Sequence, residues 1–351
     1  MMKKICLIGP MPGYNSTTGV QDFNQHLAIE LREMGHDVTI ALPQGGVLAL
    51  PMAMRTEKAT GCEVVALPNV REDIPSPAAF LSSAGSQLAQ ALGRFEQAII
   101  SGSNFAYGRI LRAAECPAAV WTHGQQISPF ARWDGAELKR PGAKLVCINS
   151  IHMREAQMRG FEEQAVMIEI PVLQEPGEVL PASNFAVAVG NLENRKNYPA
   201  VAEIAERLKR DTRVYGGVVH DRALAAVERS KRLQRRGFVP NETLWGEAAA
   251  AEFIVHTAFT EGFPVAIRNA NAQGIPAITW NIPPYSDSLN PARNILLEPK
   301  RPIADQLAEI AADNGLKKYR AIANRRALAQ ETHERFGKAA FRGQLTELIG
   351  G

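Results

Sequence analysis

Short apolar runs that alternate with helix-patterned stretches limit most strongly what this chain can fold into. Residues 4–9 (KICLIG) are such a run, closed by Gly and Pro as a strand buried on both faces of a parallel sheet would be. A loop rich in Pro, Gly, Ser and Thr follows. Then Phe23, Leu27, Leu31 and Met34 fall on one helix face, ended by Gly35. The runs HDVTIAL (36–42), EVVALP (63–68), QAIIS (97–101), AAVWTH (118–123) and KLVCINS (144–150) continue the alternation. Residues 171–184 hold three prolines and no clear period, so they read as a linker. The alternation restarts with FAVAVG (185–190), TRVYGG (212–217), EFIVHT (252–257) and IPAITW (275–280). Tyr198, Val201, Ala202, Ala205 and Leu208 share a helix face, and residues 303 to 349 read as helices. This order predicts two doubly wound α/β domains. The 351 residues agree, because a single core usually splits above about 250–300.

Composition and missing motifs narrow the chemistry. Apolar residues at 46% and charged residues at 21% rule out wholesale disorder. No apolar run approaches the ~18–20 residues of a transmembrane helix. The opening MMKKICLIGPMPG lacks the apolar region and cleavage site of a signal peptide. The expectation is a cytoplasmic protein, with peripheral membrane attachment left open. Cys6, Cys62, Cys116 and Cys147 make no C-x-x-C pair and no cluster with His, which predicts reduced core thiols. No two glycines are separated by a single residue, so the G-x-G-x-x-G dinucleotide fingerprint is absent. The P-loop, G-x-S-x-G and H-E-x-x-H patterns are absent as well. What remains is a ligand held between two α/β domains at strand carboxyl ends. Residues 1–175 carry 15 Lys and Arg against 17 Asp and Glu, and residues 176–351 carry 24 against 19. The second half is therefore the better host for an anion.

The segment EGFPVAIRNANAQGIPAITW (261–280) carries the strongest motif. Its Glu261, Gly262, Phe263, Ala270, Ala272, Gly274 and Pro276 fall on the pattern E-G-F-G-x-x-x-x-E-A-x-A-x-G-x-P-V. AVGNLENRKNYPAVAEIAERL (188–208) is similar to a G-R-L-x-x-x-K strand–loop–helix. Residues 237–263 look like a loop–helix–strand approach to the first Glu, and residues 4–42 like an amino-terminal unit. Together these segments resemble retaining family 4 glycosyltransferases of the GT-B fold, the group 1 enzymes of glycogen-synthase-like and mannosyltransferase-like type. The resemblance covers most of the chain and is vaguest over 43–95. It implies an α/β protein with two Rossmann-like doubly wound domains facing a central cleft. Residues 1–175 would be the acceptor side, 176–330 the nucleotide-sugar side, and 331–351 a terminal helix packing back on the first domain.

The resemblance also implies an activity: sugar transfer, with retention, from a nucleoside-diphosphate sugar, UDP- or GDP-linked, to an unknown acceptor. No metal and no other cofactor is implied. A leaving diphosphate gains negative charge in the transition state, so positive charge and fixed donors must aim at it. Lys196 and Arg195 follow a predicted strand near a helix start, where helix N–H groups add to that field. In the family, the residue at Glu261 holds donor sugar hydroxyls. Gly262, Phe263 and Pro264 would supply backbone near the diphosphate. Gly190 and Asn191 form the turn before Lys196. Gly237, Phe238 and Val239 resemble the base-contacting loop, and Asn269 stands at the ribose position. His123, at a strand carboxyl end, would face the donor sugar. Thr18 and Gly19 stand where the family has Gly-Gly. Phe130 and Trp133 lie among Arg132, Lys139, Arg140 and Lys144 and are acceptor-side candidates. Each residue also has a reading without a ligand: Arg195 and Lys196 as solvated loop charges, Glu261 as a helix-start carboxylate, His123 as a core histidine.

Two positions depart from the pattern. Asn269 replaces the second Glu, and Asn191 replaces the usual Arg, leaving Arg195 or Arg268 to compensate. These departures keep open two other functions, a non-catalytic nucleotide-sugar-binding or partner subunit and a GT-B sugar-nucleotide epimerase. The acceptor stays open among a glycan, a lipid-linked glycan, a small molecule and nucleic acid. The run Arg229, Lys231, Arg232, Arg235 and Arg236 reads as a solvated helix end rather than a nucleic-acid footprint. Asn149 and Ser150 read as a helix cap.

Overall fold

The computed structural model of the protein describes residues 2–9, 11, 19–42, 49–66, 90–102, 111, 114–123, 136–172 and 174–350. The chain divides into two compact units, Met1–Ile170 with Phe341–Gly351, and Pro171–Ala340. The change of unit thus falls at Phe341 rather than at residue 331. The reason is packing: a helix over Ile322–Phe336 stays with the second unit, where Phe336 clusters with Val172 and Ala272.

In the first unit, strands β1 (Lys4–Ile8), β2 (Asp37–Leu42), β3 (Glu63–Ala66), β4 (Gln97–Gly102), β5 (Ala118–Thr122), β6 (Ala143–Cys147) and β7 (Ala165–Met167) form one sheet. Their order is β3-β2-β1-β4-β5-β6-β7, and every pair is parallel. Strands buried on both faces explain the near-continuous apolar runs. Helix α1 (Gly19–Glu33) buries Phe23, Leu27 and Leu31, the face its spacing predicts. Helix α2 (Ala49–Thr60) precedes β3. Asn149 caps helix α3 (Ser150–Met158), its side chain accepting from the His152 backbone N–H.

The second unit holds β8 (Phe185–Val189), β9 (Asp211–Tyr215), β10 (Leu233–Gly237), β11 (Phe253–His256), β12 (Ala277–Trp280) and β13 (Ile295–Leu297) in the order β10-β9-β8-β11-β12-β13. All pairs are parallel. Written from the first strand of the unit, this is the 3-2-1-4-5-6 order of a dinucleotide-binding fold. Helices α4 (Tyr198–Leu208), α5 (Asp221–Arg229), α6 (Asn241–Ala248), α7 (Val265–Ala272), α8 (Tyr285–Ser288), α9 (Ile303–Ala312), α10 (Gly315–Arg320) and α11 (Ile322–Phe336) accompany the sheet. The final helix, α12 (Lys338–Gly350), buries Phe341, Leu345, Leu348 and Ile349. From Phe341 onward it belongs to the first unit. There the Phe341 ring meets Phe23 at 6.1 Å, Arg342 pairs with Glu30 at 2.6 Å and also with Glu33, and Lys3 donates to the Ile349 carbonyl.

The basic run at 229–236 is partly strand, which corrects its reading as a helix end. Helix α5 ends at Arg229, and Arg235 and Arg236 lie exposed on β10, an edge strand. Charges on an edge strand block pairing with another chain. Among the described residues, no helix is long and apolar enough to cross a membrane.

The loops after β8 and β9 touch through two glycines. Gly216 has φ +144°, and a Cβ there would collide with the Gly190 carbonyl, lying 2.5 Å from its carbon. Gly217, by contrast, has only the Asn191 side-chain oxygen nearby, at 3.6 Å. Gly216→Ala is therefore expected to lower folding stability by about 2–3 kcal/mol, through backbone strain and overpacking. Gly217→Ala is expected to stay within ~0.5 kcal/mol, as away from strained sites. Urea unfolding of the two variants checks this.

Candidate active site

The strand order of the second unit reverses between β8 and β11. Ligands of open parallel sheets sit outside the strand carboxyl ends at such a switch point. Gly190 follows β8 there, and His256 ends β11. A short 3-10 turn, Asn194–Lys196, leads into α4, whose start is set by Asn197 at φ 53° and by Pro199 in the first turn. Gly190 has φ +141°, and a Cβ on it would lie 3.3 Å from Lys196 Cε. The bare glycine lets the lysine stem lie across the strand end. Cross-loop bonds fix this arrangement. Tyr198 donates its hydroxyl to the Gly190 carbonyl at 2.6 Å, Thr257 donates to the Asn197 carbonyl at 3.0 Å, and the Phe259 N–H donates to the Arg195 carbonyl at 2.9 Å.

The centre of the site is one carboxylate oxygen. Lys196 Nζ contacts Glu261 Oε1 directly. Arg195 Nη1 lies 3.2 Å from the same oxygen and His256 Nε2 3.1 Å from it. Arg195 also pairs through Nε with Glu193 at 2.6 Å. The Glu261 side chain is 10% exposed and that of Lys196 13%, whereas Arg195 is 38% exposed. Burial pushes the Glu261 carboxyl up. The bond from His256 and the charges of Lys196 and Arg195 outweigh this and hold it well below the usual carboxylate range. Burial pushes the His256 imidazole down, and Lys196 adds to that effect against the pull of Glu261. The site at neutral pH is thus an ionised glutamate, two cations and a neutral imidazole. Lys196 carries three donors and Arg195 five, more than the contacts they make here, so both have N–H groups to offer an anion.

Several residues singled out in the sequence meet in this unit, and others do not. Gly190, Arg195, Lys196 and Glu261 are in contact as described. Asn191 is exposed and accepts from the Gly217 N–H at 3.2 Å, so it holds the loop after β9. Gly262, Phe263 and Pro264 form the buried turn into α7. Asn269 on α7 is 7% exposed, and its Oδ1 has no hydrogen-bond partner among the described residues. Gly237 ends β10, Phe238 beyond it is 57% exposed, and Val239 packs partly against the core. Arg268 does not replace the missing cation at Asn191. Its guanidinium lies 3.9 Å from the Phe263 ring centroid and 3.4 Å from that of Phe336, 1% exposed. Stacking on two aromatic faces commits that charge to the core.

His123 and Gly19 belong to the first unit, and Gly19 opens α1. His123 follows β5, with Nε2 2.9 Å from Ser101 Oγ near the end of β4. Ser101 gives its hydroxyl proton to Asn24 Oδ1, so it receives Nε2–H from the imidazole. Thr18, Phe130 and Trp133 lie outside the described residues. Among the described residues no group of three His, Cys, Asp or Glu is placed to hold a metal ion. The sequence reading missed His256, Glu193 and Tyr285. His256 had a usable signal, a lone histidine at a strand carboxyl end, the same one that singled out His123.

Residues 175–329 match the family model described as glycosyl transferases group 1. That match covers most of the second unit, and the chain as a whole has the GT-B fold. A curated relative, O-antigen chain mannosyltransferase B of Escherichia coli, is 29% identical over 174 residues, 46% of this chain. The match spans 44% of that relative, under half its length. Among solved structures, HepE of Anabaena in complex with UDP and glucose superposes with a TM-score of 0.72 at 14% identity, covering 99% of both chains. TarM of S. aureus, solved with UDP among its ligands, gives a TM-score of 0.75 at 9% identity over 100% of both. At these identities the structural likeness establishes the fold.

The first unit yields a pH prediction. Burial, then the neighbouring His152, pushes the His123 imidazole from 6.5 down to about 3. Between those values the unfolded chain binds a proton that the folded one does not, so stability falls as pH drops through that window. His123→Gln is expected to lose less stability than the natural protein between about pH 7 and 4.5, compared by urea midpoints.

Proposed function

We propose that this protein is a glycosyltransferase that moves a hexose from a nucleoside-diphosphate sugar, UDP- or GDP-linked, to an acceptor with retention of configuration. The observation that carries this reading is the convergence of Lys196, Arg195 and Glu261 at the switch point between β8 and β11. The group 1 family match and the UDP bound by HepE and TarM support it. In this reading the diphosphate lies against Lys196 and Arg195, whose fixed charge stabilises the leaving group as negative charge grows on it. Glu261 accepts hydrogen bonds from donor sugar hydroxyls and orients the ring. The acceptor hydroxyl attacks on the face from which the diphosphate departs, and the departing phosphate oxygen takes its proton. No side-chain nucleophile is then needed, and the enzyme's part is positioning and electrostatics. The acceptor is a glycan, a lipid-linked glycan, a small molecule or nucleic acid, and the protein works in the cytoplasm or at a membrane face.

Asn191 and Asn269 favour a second reading, a nucleotide-sugar-binding subunit without turnover, since neither brings the charge of the residue it replaces. Calorimetry with UDP- and GDP-sugars, run beside transfer and hydrolysis assays, separates the two. Binding with turnover supports the enzyme, binding alone supports the subunit, and inversion of the sugar without an acceptor identifies an epimerase. Lys196→Ala is expected to lower kcat about 10²–10³-fold, as loss of one preorganised charge does, while circular dichroism stays that of the folded protein. Because Lys196 and Arg195 supply the positive charge in this reading, turnover is expected to persist in excess EDTA.

A further inference from the structure

The histidine at the end of β11 has no role in the reading above, yet it touches the central carboxylate. His256 is 5% exposed, and its ring packs edge-on against Tyr285 at 5.9 Å, itself fully buried. Its Nε2 lies 3.1 Å from Glu261 Oε1. Lys196 and Arg195 approach that same oxygen, while Oε2 of Glu261 has no protein partner among the described residues. The three donors differ in what else is asked of them. Lys196 and Arg195 sit on long, partly exposed stems and would be shared with an incoming diphosphate. His256 is walled in by the strand end and Tyr285, and its Nε2–H is directed at Glu261 Oε1.

We propose that His256 is a positioning residue that acts through Glu261: its Nε2–H pins Oε1 so that Oε2 stays turned toward the hydroxyls of the bound sugar when the two cations engage the diphosphate. The inference rests on the glycosyltransferase reading and deepens it by assigning the two oxygens of Glu261 separate tasks. A neutral donor suits this task because it orients the carboxylate without adding a third cation to the diphosphate field. Its contribution should appear only where a sugar is present. The free nucleoside diphosphate meets the cations but not Oε2.

The test compares His256→Leu, which removes the donor, with His256→Gln, which keeps a neutral N–H at a similar reach. The probe is whichever of UDP-glucose, UDP-N-acetylglucosamine and GDP-mannose binds the natural protein tightest by calorimetry, with its free nucleoside diphosphate as the second ligand. The expected result is a loss of about tenfold or more in sugar-nucleotide affinity for His256→Leu, in keeping with one hydrogen bond to a charged group. Its affinity for the free diphosphate changes less than about twofold, and His256→Gln stays within about threefold of the natural protein for both ligands. Unchanged sugar-nucleotide affinity in His256→Leu overturns the proposal. So does equal weakening of both ligands, or a Gln variant no better than Leu, since each marks a purely structural histidine. A natural protein that binds none of the three probes overturns the glycosyltransferase reading and this proposal with it, which is a distinguishable outcome.

Discussion

A carboxylate taken out of water must be compensated, and the second unit is organised around one such group. Desolvating an ion costs several kcal/mol after relaxation, and only close partners repay it. Glu261 obtains them from two separate loops. Lys196 and Arg195 come from the turn after β8, and His256 from the end of β11. The pairing therefore joins segments 65 residues apart into one rigid edge. Backbone bonds follow the same line, from Phe259 to Arg195 and from Thr257 to Asn197. Loss of the carboxylate would leave two cations and the turn that carries them without a counterweight.

That edge exists because of the strand order. Placing β8 beside β11 sends the chain away in opposite directions and leaves space above the shared boundary. Glycines keep the space open at the level of backbone. Gly190 makes room for the lysine stem, and Gly216 lets the loop after β9 press against Gly190. The first unit repeats the principle with different chemistry. Its Asn24–Ser101–His123 chain lies near the carboxyl ends of β4 and β5 and holds an uncharged imidazole. The charged groups belong to the second unit and this neutral imidazole to the first.

Much of this was legible in the amino-acid order. The strands read from apolar runs correspond closely to β1–β6, β8, β9, β11 and β12. Those missed were β7, β10 and β13, all at sheet edges and three to five residues long. An edge strand has one neighbour and a solvated side, so it need not be apolar, and Leu233–Gly237 carries two arginines in a row. The juxtaposition of Lys196 with Glu261 is what the family resemblance implied. Three other features were not legible. Arg268 was a candidate phosphate ligand until packing placed it between Phe263 and Phe336. Asn191 proved to be a loop brace. His256 passed unremarked although it stands at a strand carboxyl end as His123 does, because its partner Glu261 is set by the fold of the loop that follows.

The sequence by itself determined the two α/β units, the strand-end positions of the candidate site side chains, and the resemblance of the second unit to group 1 glycosyltransferases. These properties are local: hydrophobic period, turn chemistry and motif spacing are written within a few residues of one another. Tertiary structure alone decided which charge meets which. It put three donors on one oxygen of Glu261, withdrew Arg268 into the core, and set His123 and His256 neutral. Those outcomes depend on burial and on distances between segments far apart in the chain, and electrostatic energy in a folded protein is governed by both.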